Sequence, residues 1–191
     1  MLAFVFSGCC NSLPVPDASI LSMKVVCAWC QRVLTDDPSR EAIVSHGICD
    51  ACLREAMGRR VSLDEFVETL DVPVLVMDGS LTVRAVNHAA ETIIGRPAAE
   101  MINTLAGVAI ECVNAGAPGG CGQSARCRGC LLRQNIVDTH ADGRRRYGVS
   151  GEKPFADGGA PGPLRFQYST QKAGAMVLCM IESMASLRVA S

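Results

Sequence analysis

Residues 72–101 read V-P-V-L-V-M-D-G-S-L-T-V-R-A-V-N-H-A-A-E-T-I-I-G-R-P-A-A-E-M and contain a regular series of local structural signals. The apolar run Pro73–Met77 predicts a strand, and Leu81–Val86 predicts a second one. The Asp78-Gly79 pair between them is typical of a tight turn. The stretch is therefore expected to begin with a β-hairpin.

Two short helices are expected after this hairpin. Asn87 is a favoured N-cap residue, so a helix is predicted to follow it through Ile94 and to end at Gly95. Pro97 suits the first position of a further helix. Glu100 suits the first turn of that helix, because a carboxylate there meets the positive end of the helix dipole.

The order of these elements resembles the opening half of a PAS domain. Three later segments complete the likeness, because each predicts a strand. They are Arg144–Ser150, Leu164–Ser169 and Ala175–Glu182, separated by a Gly/Pro-rich loop from Phe155 to Pro163 and by Gly174. The resemblance covers about Ser62 to Ser186. It implies an α+β fold, a PAS-like antiparallel sheet with flanking helices, and a sensory role in bacterial signalling.

Four cysteines upstream of this region form two C-x2-C pairs, with eighteen residues between the pairs. This spacing is typical of structural zinc sites, in which two tight turns present four thiolates to one ion. The sequence therefore predicts a small N-terminal zinc-binding module whose ligands are Cys27, Cys30, Cys49 and Cys52. The segment S-H-G-I-C-D-A-C also resembles short cysteine knuckles that occur beside PAS sensors.

Two other residues of this module bear on the site. His46 lies three residues before Cys49 and is interpreted as a polar turn residue before Gly47, with a role as an outer-shell or alternative ligand as the competing interpretation. Trp29 lies inside the first C-x2-C pair and is expected to cover the metal or to dock on the neighbouring domain.

Two helices are predicted after the second cysteine pair. Asp50–Gly58 is expected to form a short helix with Leu53 and either Ala56 or Met57 turned inward. Ser62–Leu70 begins with a capping box and is expected to link the zinc module to the PAS-like domain.

A second group of cysteines lies in the glycine-rich cysteine segment, Gly107–Arg133. It contains another C-x2-C pair, and its glycines would allow the loop to wrap around an ion. The ligands expected for this second centre are Cys112, Cys121, Cys127 and Cys130. Their spacing matches no standard ferredoxin pattern, so zinc and an iron–sulfur cluster both stay open as the metal, with buried thiols or disulfides as alternatives.

The second centre is expected to belong to the core of the PAS-like domain. Cys112 follows the apolar stretch Val108–Ile110, and Cys130 leads into a predicted helix with a buried face. The residues expected on that face are Leu131, Leu132, Ile136 and Val137. One shared ion would hold the four sulfurs within about 4 Å of one another. Cys179, in the last apolar strand, is assigned to ordinary core packing.

Composition limits the function classes. The chain has 191 residues, of which 49% are hydrophobic, and a formal net charge of −1, so it predicts a globular protein without general attraction to nucleic acid. No apolar run reaches the roughly 18 to 20 residues of a membrane span. Eleven cysteines that include three C-x2-C pairs favour metal binding in a reducing cytoplasm over disulfides in a secreted protein.

Three regions are predicted. Residues 1–22 are expected to be a disordered or mis-annotated tail, since Met23 can be the true start and no Lys or Arg precedes the apolar run as in a signal peptide. Residues 23–60 form the four-cysteine zinc-binding module. Residues 61–191 form the PAS-like sensor domain with the internal cysteine cluster.

These observations favour a non-enzymatic signalling or regulatory protein whose cysteine-bound metal centre responds to redox state or metal. Walker, G-x-S-x-G and H-E-x-x-H motifs are absent from the sequence. The alternatives are a zinc-stabilised scaffold for protein–protein interaction and an iron–sulfur electron carrier. The protein is expected to be a homodimer and to act in trans on a separate kinase or regulator, through an exposed face of the sheet or the helix Ser62–Leu70.

Overall fold

The computed structural model describes residues 23–35, 44–58, 62–157 and 160–186. The predicted tail 1–22 and the predicted boundary near residue 61 lie outside these ranges. The strands are β1 (Lys24–Cys27), β2 (Val33–Thr35), β3 (Val44–Gly47), β4 (Val74–Met77), β5 (Val83–Val86), β6 (Arg146–Asp157), β7 (Ala160–Ala173) and β8 (Met176–Ser186). The helices are α1 (Asp50–Gly58), α2 (Leu63–Glu68), α3 (His88–Ile94), α4 (Ala98–Met101), α5 (Ala106–Ala109) and α6 (Leu131–Asp142).

The larger sheet has five antiparallel strands in the order β5-β4-β8-β7-β6. Helices α3 to α6 lie in sequence between β5 and β6, so the crossover from one edge of the sheet to the other carries all four of them. The predicted fold class, an α+β PAS-like antiparallel sheet with flanking helices, is confirmed.

Two inner strands of this sheet, β4 and β8, are buried on both faces. In β4, Leu75 and Met77 belong to a hydrophobic core shared with α3 to α6, whereas Val74 and Val76 belong to a second core. Strand β8 shows the same alternation, as expected for side chains that point to opposite faces. Near-continuous apolar runs such as V-L-V-M are typical of strands covered on both sides.

The second core belongs jointly to the sheet and to the N-terminal region. We call residues 23–35 and 44–58 the cysteine module. Its Ile48 and Ala56 pack in one cluster with Phe66 of α2 and with Val76 and Met180 of the sheet. The cysteine module is thus packed against the sheet, and it covers this face of β4 and β8.

Most local signals are confirmed, including the capping box of α2, in which Ser62 and Glu65 exchange hydrogen bonds. Asn87 caps α3 with its side chain, and Gly95 ends that helix with a left-handed φ of 78°. Pro97 is the N-cap residue of α4 rather than its first helical residue. The predicted loop Phe155–Pro163 is wrong in extent, because β6 runs through Asp157 and β7 starts at Ala160.

Two predicted buried faces differ from the structure. In α1 the inward position is taken by Ala56, while Met57 is 61% exposed. In α6 the buried residues are Leu132, Ile136 and Thr139, and the predicted Leu131 and Val137 are 40% and 37% exposed. Thr139 can be buried on this face because its hydroxyl lies 2.7 Å from the hydroxyl of Thr170 in β7.

None of the helices in the described ranges is long and apolar enough to cross a membrane.

The turn between β4 and β5 depends on Gly79 for a tertiary reason. The residue with positive φ in this turn is Leu81, at 67°, and the Asp78 carboxylate organises the turn by accepting hydrogen bonds from Ser80 and Thr82. These bonds, and that from the Arg84 guanidinium, outweigh burial and lower the pKa of Asp78 to about 2. Gly79 instead leaves room for the ring of His140, which would lie 2.8 Å from an added Cβ.

We therefore expect Gly79→Ala to destabilise the protein by about 1–3 kcal/mol through overpacking. In a protein that already carries His140→Ala, the same Gly79→Ala change should cost much less stability, because the ring that would clash with the added Cβ is gone. Gly116→Ala is the matched control, since a Cβ there meets no atom within 4 Å. Urea unfolding measures the stability of the wild type and the four variants; equal losses from Gly79→Ala with and without His140 would contradict this account.

Candidate metal centre

The four cysteines of the N-terminal pairs lie together. The Sγ atoms of Cys27, Cys30, Cys49 and Cys52 are all within 4.8 Å of one another, and those of Cys30 and Cys49 are 3.9 Å apart. A tetrahedral ion with metal–sulfur bonds of about 2.3 Å requires sulfurs about 3.8 Å apart. The structure therefore brings the predicted ligands into a set of the right size for one metal ion.

Parallel pairing of β1 with β3 brings the two knuckles side by side. The last residue of β1, Cys27, is paired with the last residue of β3, Gly47, and the Ala28 N–H donates to the Gly47 carbonyl at 2.7 Å. After β1 the backbone turns back through Gln31, whose φ is 58°. After β3 it enters α1. The helix then places Cys52 one turn after Cys49.

Backbone N–H groups point at the sulfurs. The Cys49 N–H donates to the Cys27 Sγ at 3.4 Å, and the Cys52 N–H donates to the Cys49 Sγ at 3.5 Å. Burial opposes ionisation of Cys27, but N–H groups of Cys30, Cys49 and Trp29 outweigh it and lower the pKa of Cys27 to about 7. Such bonds favour the thiolate, which is the form that binds metals.

The pKa of Cys52 is shifted in the opposite direction to that of Cys27. Burial, and then hydrogen bonds with the thiols of Cys49, Cys30 and Cys27, raise its pKa well above that of a free thiol. The two thiols therefore differ in the direction of their pKa shifts, although both belong to the same cluster. Cysteines bind metal ions as thiolates, so metal binding at this centre is coupled to proton release and weakens as the pH falls.

The centre has one open side. Cys27, Cys49 and Cys52 are buried, whereas Cys30 is exposed. Trp29, the one tryptophan of the chain, packs its ring against Phe66 of α2 with a centroid distance of 5.1 Å. Trp29 therefore contacts helix α2, and its indole is placed to report on the centre.

The cysteines of the glycine-rich cysteine segment are not gathered in the same way. Among the residues that the structure describes, the N-terminal set is the one group of three or more Cys, His, Asp or Glu ligand atoms within 4.8 Å of one another. Cys121 lies against Gly107, Cys127 lies 3.2 Å from the Ser124 hydroxyl, and Cys130 packs against the core beneath α6. The expected spacing of about 4 Å among four sulfurs is absent, and a second centre stays a prediction. Within the described residues, no disulfide joins Cys112, Cys121, Cys127 or Cys130.

His46 is not a member of the ligand set. It lies within β3 rather than in a turn, and its backbone N–H donates to the Glu182 carboxylate at 3.3 Å. Burial lowers the pKa of its imidazole, and the Glu182 charge opposes that shift. Within the described residues, His46 Nδ1 and Glu182 Oε2 have no hydrogen-bond partner.

The sequence interpretation missed Gln171, a buried amide in β7. Its Oε1 accepts from the Ile48 N–H at 2.8 Å, and its Nε2 donates to the Ile48 carbonyl at 2.9 Å. Ile48 directly precedes Cys49. A glutamine within the run Y-S-T-Q-K-A indicates a polar contact. Its neighbours in sequence do not indicate that the partner is Ile48, 123 residues away.

The opposite face of the sheet encloses a small apolar cavity of about 30 Å³, lined in part by Leu75, Ile110, Phe166 and Cys179. A cavity needs roughly 10–15 Å³ to hold one water molecule, so this space is far below the size of an organic cofactor. Cys179 is 3% exposed and belongs to the core, as predicted.

Comparison with solved structures returns PAS domains. The chain is similar to the photoactive yellow protein domain of the sensor histidine kinase Ppr from Rhodospirillum centenum, with 15% identity, a TM-score of 0.39, and coverage of 64% of this chain and 94% of that one. The PAS domain of nitrogen regulation protein NR(II) from Vibrio parahaemolyticus is 16% identical, with a TM-score of 0.37 and coverage of 66% and 100%.

A third similar structure is the PAS domain of an HTR-like protein from Haloarcula marismortui, which is 14% identical, with a TM-score of 0.39 and coverage of 71% of this chain and 94% of that one. No protein-family model matches the sequence, and no curated protein matches it significantly. Several of the matching solved structures are PAS domains, the family that the sequence resembles, and four cysteines of the N-terminal region lie together as a candidate metal site.

Proposed function

We propose that this protein is a non-enzymatic signalling or regulatory protein in which the cysteine module binds one zinc ion and changes its packing on the PAS-like sheet when the metal is lost, exchanged or displaced by thiol oxidation. Four thiolates are the ligand set that structural zinc prefers. An oxidant such as hydrogen peroxide would convert two thiols to a disulfide while it is itself reduced to two water molecules.

One observation carries this proposal. The ligands Cys27, Cys49 and Cys52 belong to the same hydrophobic core as Val74, Val76 and Met180 of the central strands. A change of the ion therefore acts on side chains that pack directly on the sheet. An appended zinc finger that only tethers the chain would have a core of its own.

The same shared core favours a second candidate, a zinc-stabilised scaffold. In that case the metal would be permanent, and the module would serve only to cover the sheet. Reversible loss of the ion under mild oxidation separates the two functions. An iron–sulfur carrier is distinguished by visible absorbance, because zinc has none.

The proposal includes a protein partner, either a separate kinase or regulator, and a homodimer as the active form. The outer side of α2 is the surface we assign to this contact, because Asp64 and Glu68 are exposed there while Phe66 and Val67 face the core. A cytoplasmic location is part of the proposal, supported by the absence of disulfides among the nine described cysteines.

A zinc titration tests this function. Protein purified anaerobically and stripped with a chelator should regain one zinc ion per chain, with a saturating change in Trp29 fluorescence at equimolar zinc. Hydrogen exchange at the amides of α2, β4 and β8 should slow on loading, since these elements border the shared core. Hydrogen peroxide should then release the zinc, and a thiol reductant should restore binding.

Cys112→Ser is the matched control, because Cys112 lies outside the N-terminal set, so the variant should keep the zinc binding of that set and its response to peroxide. Zinc that cannot be released by oxidant, with unchanged exchange in β4 and β8, would identify the scaffold instead. An absence of zinc binding would refute both.

A further inference from the structure

Ile48 occupies a critical position between the end of β3 and the ligand Cys49. The β1–β3 pairing ends at Gly47, so it provides no partner for the next peptide groups. Ile48 is fully buried, and Gln171 is only 1% exposed. Without Gln171, the buried N–H and the buried carbonyl of Ile48 would both lose their hydrogen bonds. Buried backbone groups without hydrogen bonds destabilise the folded state and are rare in native proteins.

The side-chain amide of Gln171 suits this task. An amide carries an acceptor oxygen and a donor NH₂ group in one plane, so a single side chain can bind both polar groups of one residue. These two bonds fix the peptide planes on each side of Ile48. The plane that follows Ile48 contains the Cys49 N–H, which donates to the Cys27 sulfur at 3.4 Å.

The strand that holds Gln171 is itself held firmly. Strand β7 is paired with β6 on one side and β8 on the other. The preceding residue, Thr170, faces the opposite side of the sheet, where its hydroxyl lies 2.7 Å from that of Thr139 in α6. The position of Gln171 is therefore fixed by the sheet, and its hydrogen bonds to Ile48 fix the start of the second knuckle.

We propose that Gln171 is a positioning residue of the cysteine centre: from the sheet it orients Cys49 for metal binding, and it conveys the occupancy of the centre to β7. This inference rests on zinc binding by the cysteine module. Outer-shell partners that orient metal ligands typically account for about 10- to 100-fold of metal affinity when they are replaced.

Two variants of adjacent residues test the role. Gln171→Met keeps the length of the side chain and removes both hydrogen bonds to Ile48. Thr170→Val is the matched control, because it removes a buried hydrogen bond from the same strand but on the α6 side. Zinc affinity is measured by competition with a chromophoric chelator, and the ligand geometry by the visible spectrum of the cobalt(II)-substituted protein.

We expect Gln171→Met to weaken zinc binding by about 10-fold or more and to alter the cobalt(II) spectrum. Thr170→Val should lower stability with wild-type zinc affinity and a wild-type spectrum. Equal zinc affinity and equal spectra in Gln171→Met and wild type would overturn the positioning role. A wild-type protein that binds no zinc would refute the proposed function itself, which is a different outcome.

A measurement on the wild-type protein covers the case in which Gln171→Met does not fold. The NMR signals of the Gln171 side-chain NH₂ and the Ile48 amide should shift on zinc addition, and exchange of the Ile48 amide should slow. Signals that stay unchanged on full zinc loading would overturn the inference.

Discussion

Replacing Cys49 with serine is expected to abolish stoichiometric zinc binding and to remove at least about 4 kcal/mol of stability at free zinc concentrations 1,000-fold above the wild-type dissociation constant. Cys49 is central to the set, since its sulfur is 3.9 Å from that of Cys30 and its N–H donates to Cys27. Structural zinc sites fold with their metal, so a missing ligand removes much of the binding free energy.

The loss should be distributed unevenly over the molecule. The cysteine module and α2 share a core, so both should lose protection from hydrogen exchange in Cys49→Ser. The core on the other face, which contains Met101 and Ile136, should stay compact. Metal analysis of anaerobically purified protein and urea unfolding with and without zinc measure these effects.

Cys112→Ser provides the control for Cys49→Ser, because it removes a half-buried thiol outside the N-terminal set. It should keep one zinc per chain and the zinc-dependent stability. One zinc bound with wild-type affinity by Cys49→Ser would show that the assigned ligand set is wrong. Collapse of the whole fold would show instead that the predicted boundary near residue 61 does not separate independent units.

Replacing Asn87 with alanine is expected to destabilise the fold by about 3–5 kcal/mol, the range of mutations that break a buried hydrogen-bond network. The side chain is 1% exposed and makes five hydrogen bonds to backbone groups. Its oxygen accepts from the N–H groups of Val74 and Ala90, and its two amide hydrogens are shared among the carbonyls of Val67, Leu70 and Val72. It thus joins α2, β4 and α3, and truncation leaves several buried groups unpaired.

The variant Asn87→Asp separates capping from this wider role. Aspartate is as good an N-cap as asparagine, so it should restore stability if capping of α3 were the whole effect. We expect it to stay strongly destabilised, because a carboxylate cannot donate to three carbonyls. Thermal unfolding measures the difference, with a loss of about 10 °C expected for Asn87→Ala and no loss for the control Asn114→Ala. Wild-type stability of Asn87→Asp would contradict the network account.

Local chemistry made several elements predictable from sequence. The N-cap of α3, its terminal glycine, the capping box of α2 and the bounds of α1 all depend on interactions within a few residues. The two C-x2-C pairs belong to the same class, because each knuckle is a tight turn whose residues are neighbours in the chain. The four cysteines come together because β1 and β3 are paired at their ends, which places the two turns side by side.

Features that depend on distant parts of the chain were not predictable in this way. Helical periodicity assigned Val137 to a buried face, but the sheet below α6 presents Thr170, so Thr139 is buried instead. In the glycine-rich cysteine segment, Cys121, Cys127 and Cys130 are spaced as ligands, but each has different neighbours. The role of Gly79 likewise became apparent only from the ring of His140.

The sequence by itself determined the helix caps, the hairpin and the composition of the N-terminal ligand set, since these are encoded in short-range hydrogen bonding and backbone preference. Tertiary structure determined that the cysteine module packs on β4 and β8 and that Gln171 holds Ile48. The physical reason is that burial and hydrogen-bond satisfaction are properties of surfaces in contact. A residue pattern shows which face is apolar or polar, but the partner of that face depends on the path of the whole chain.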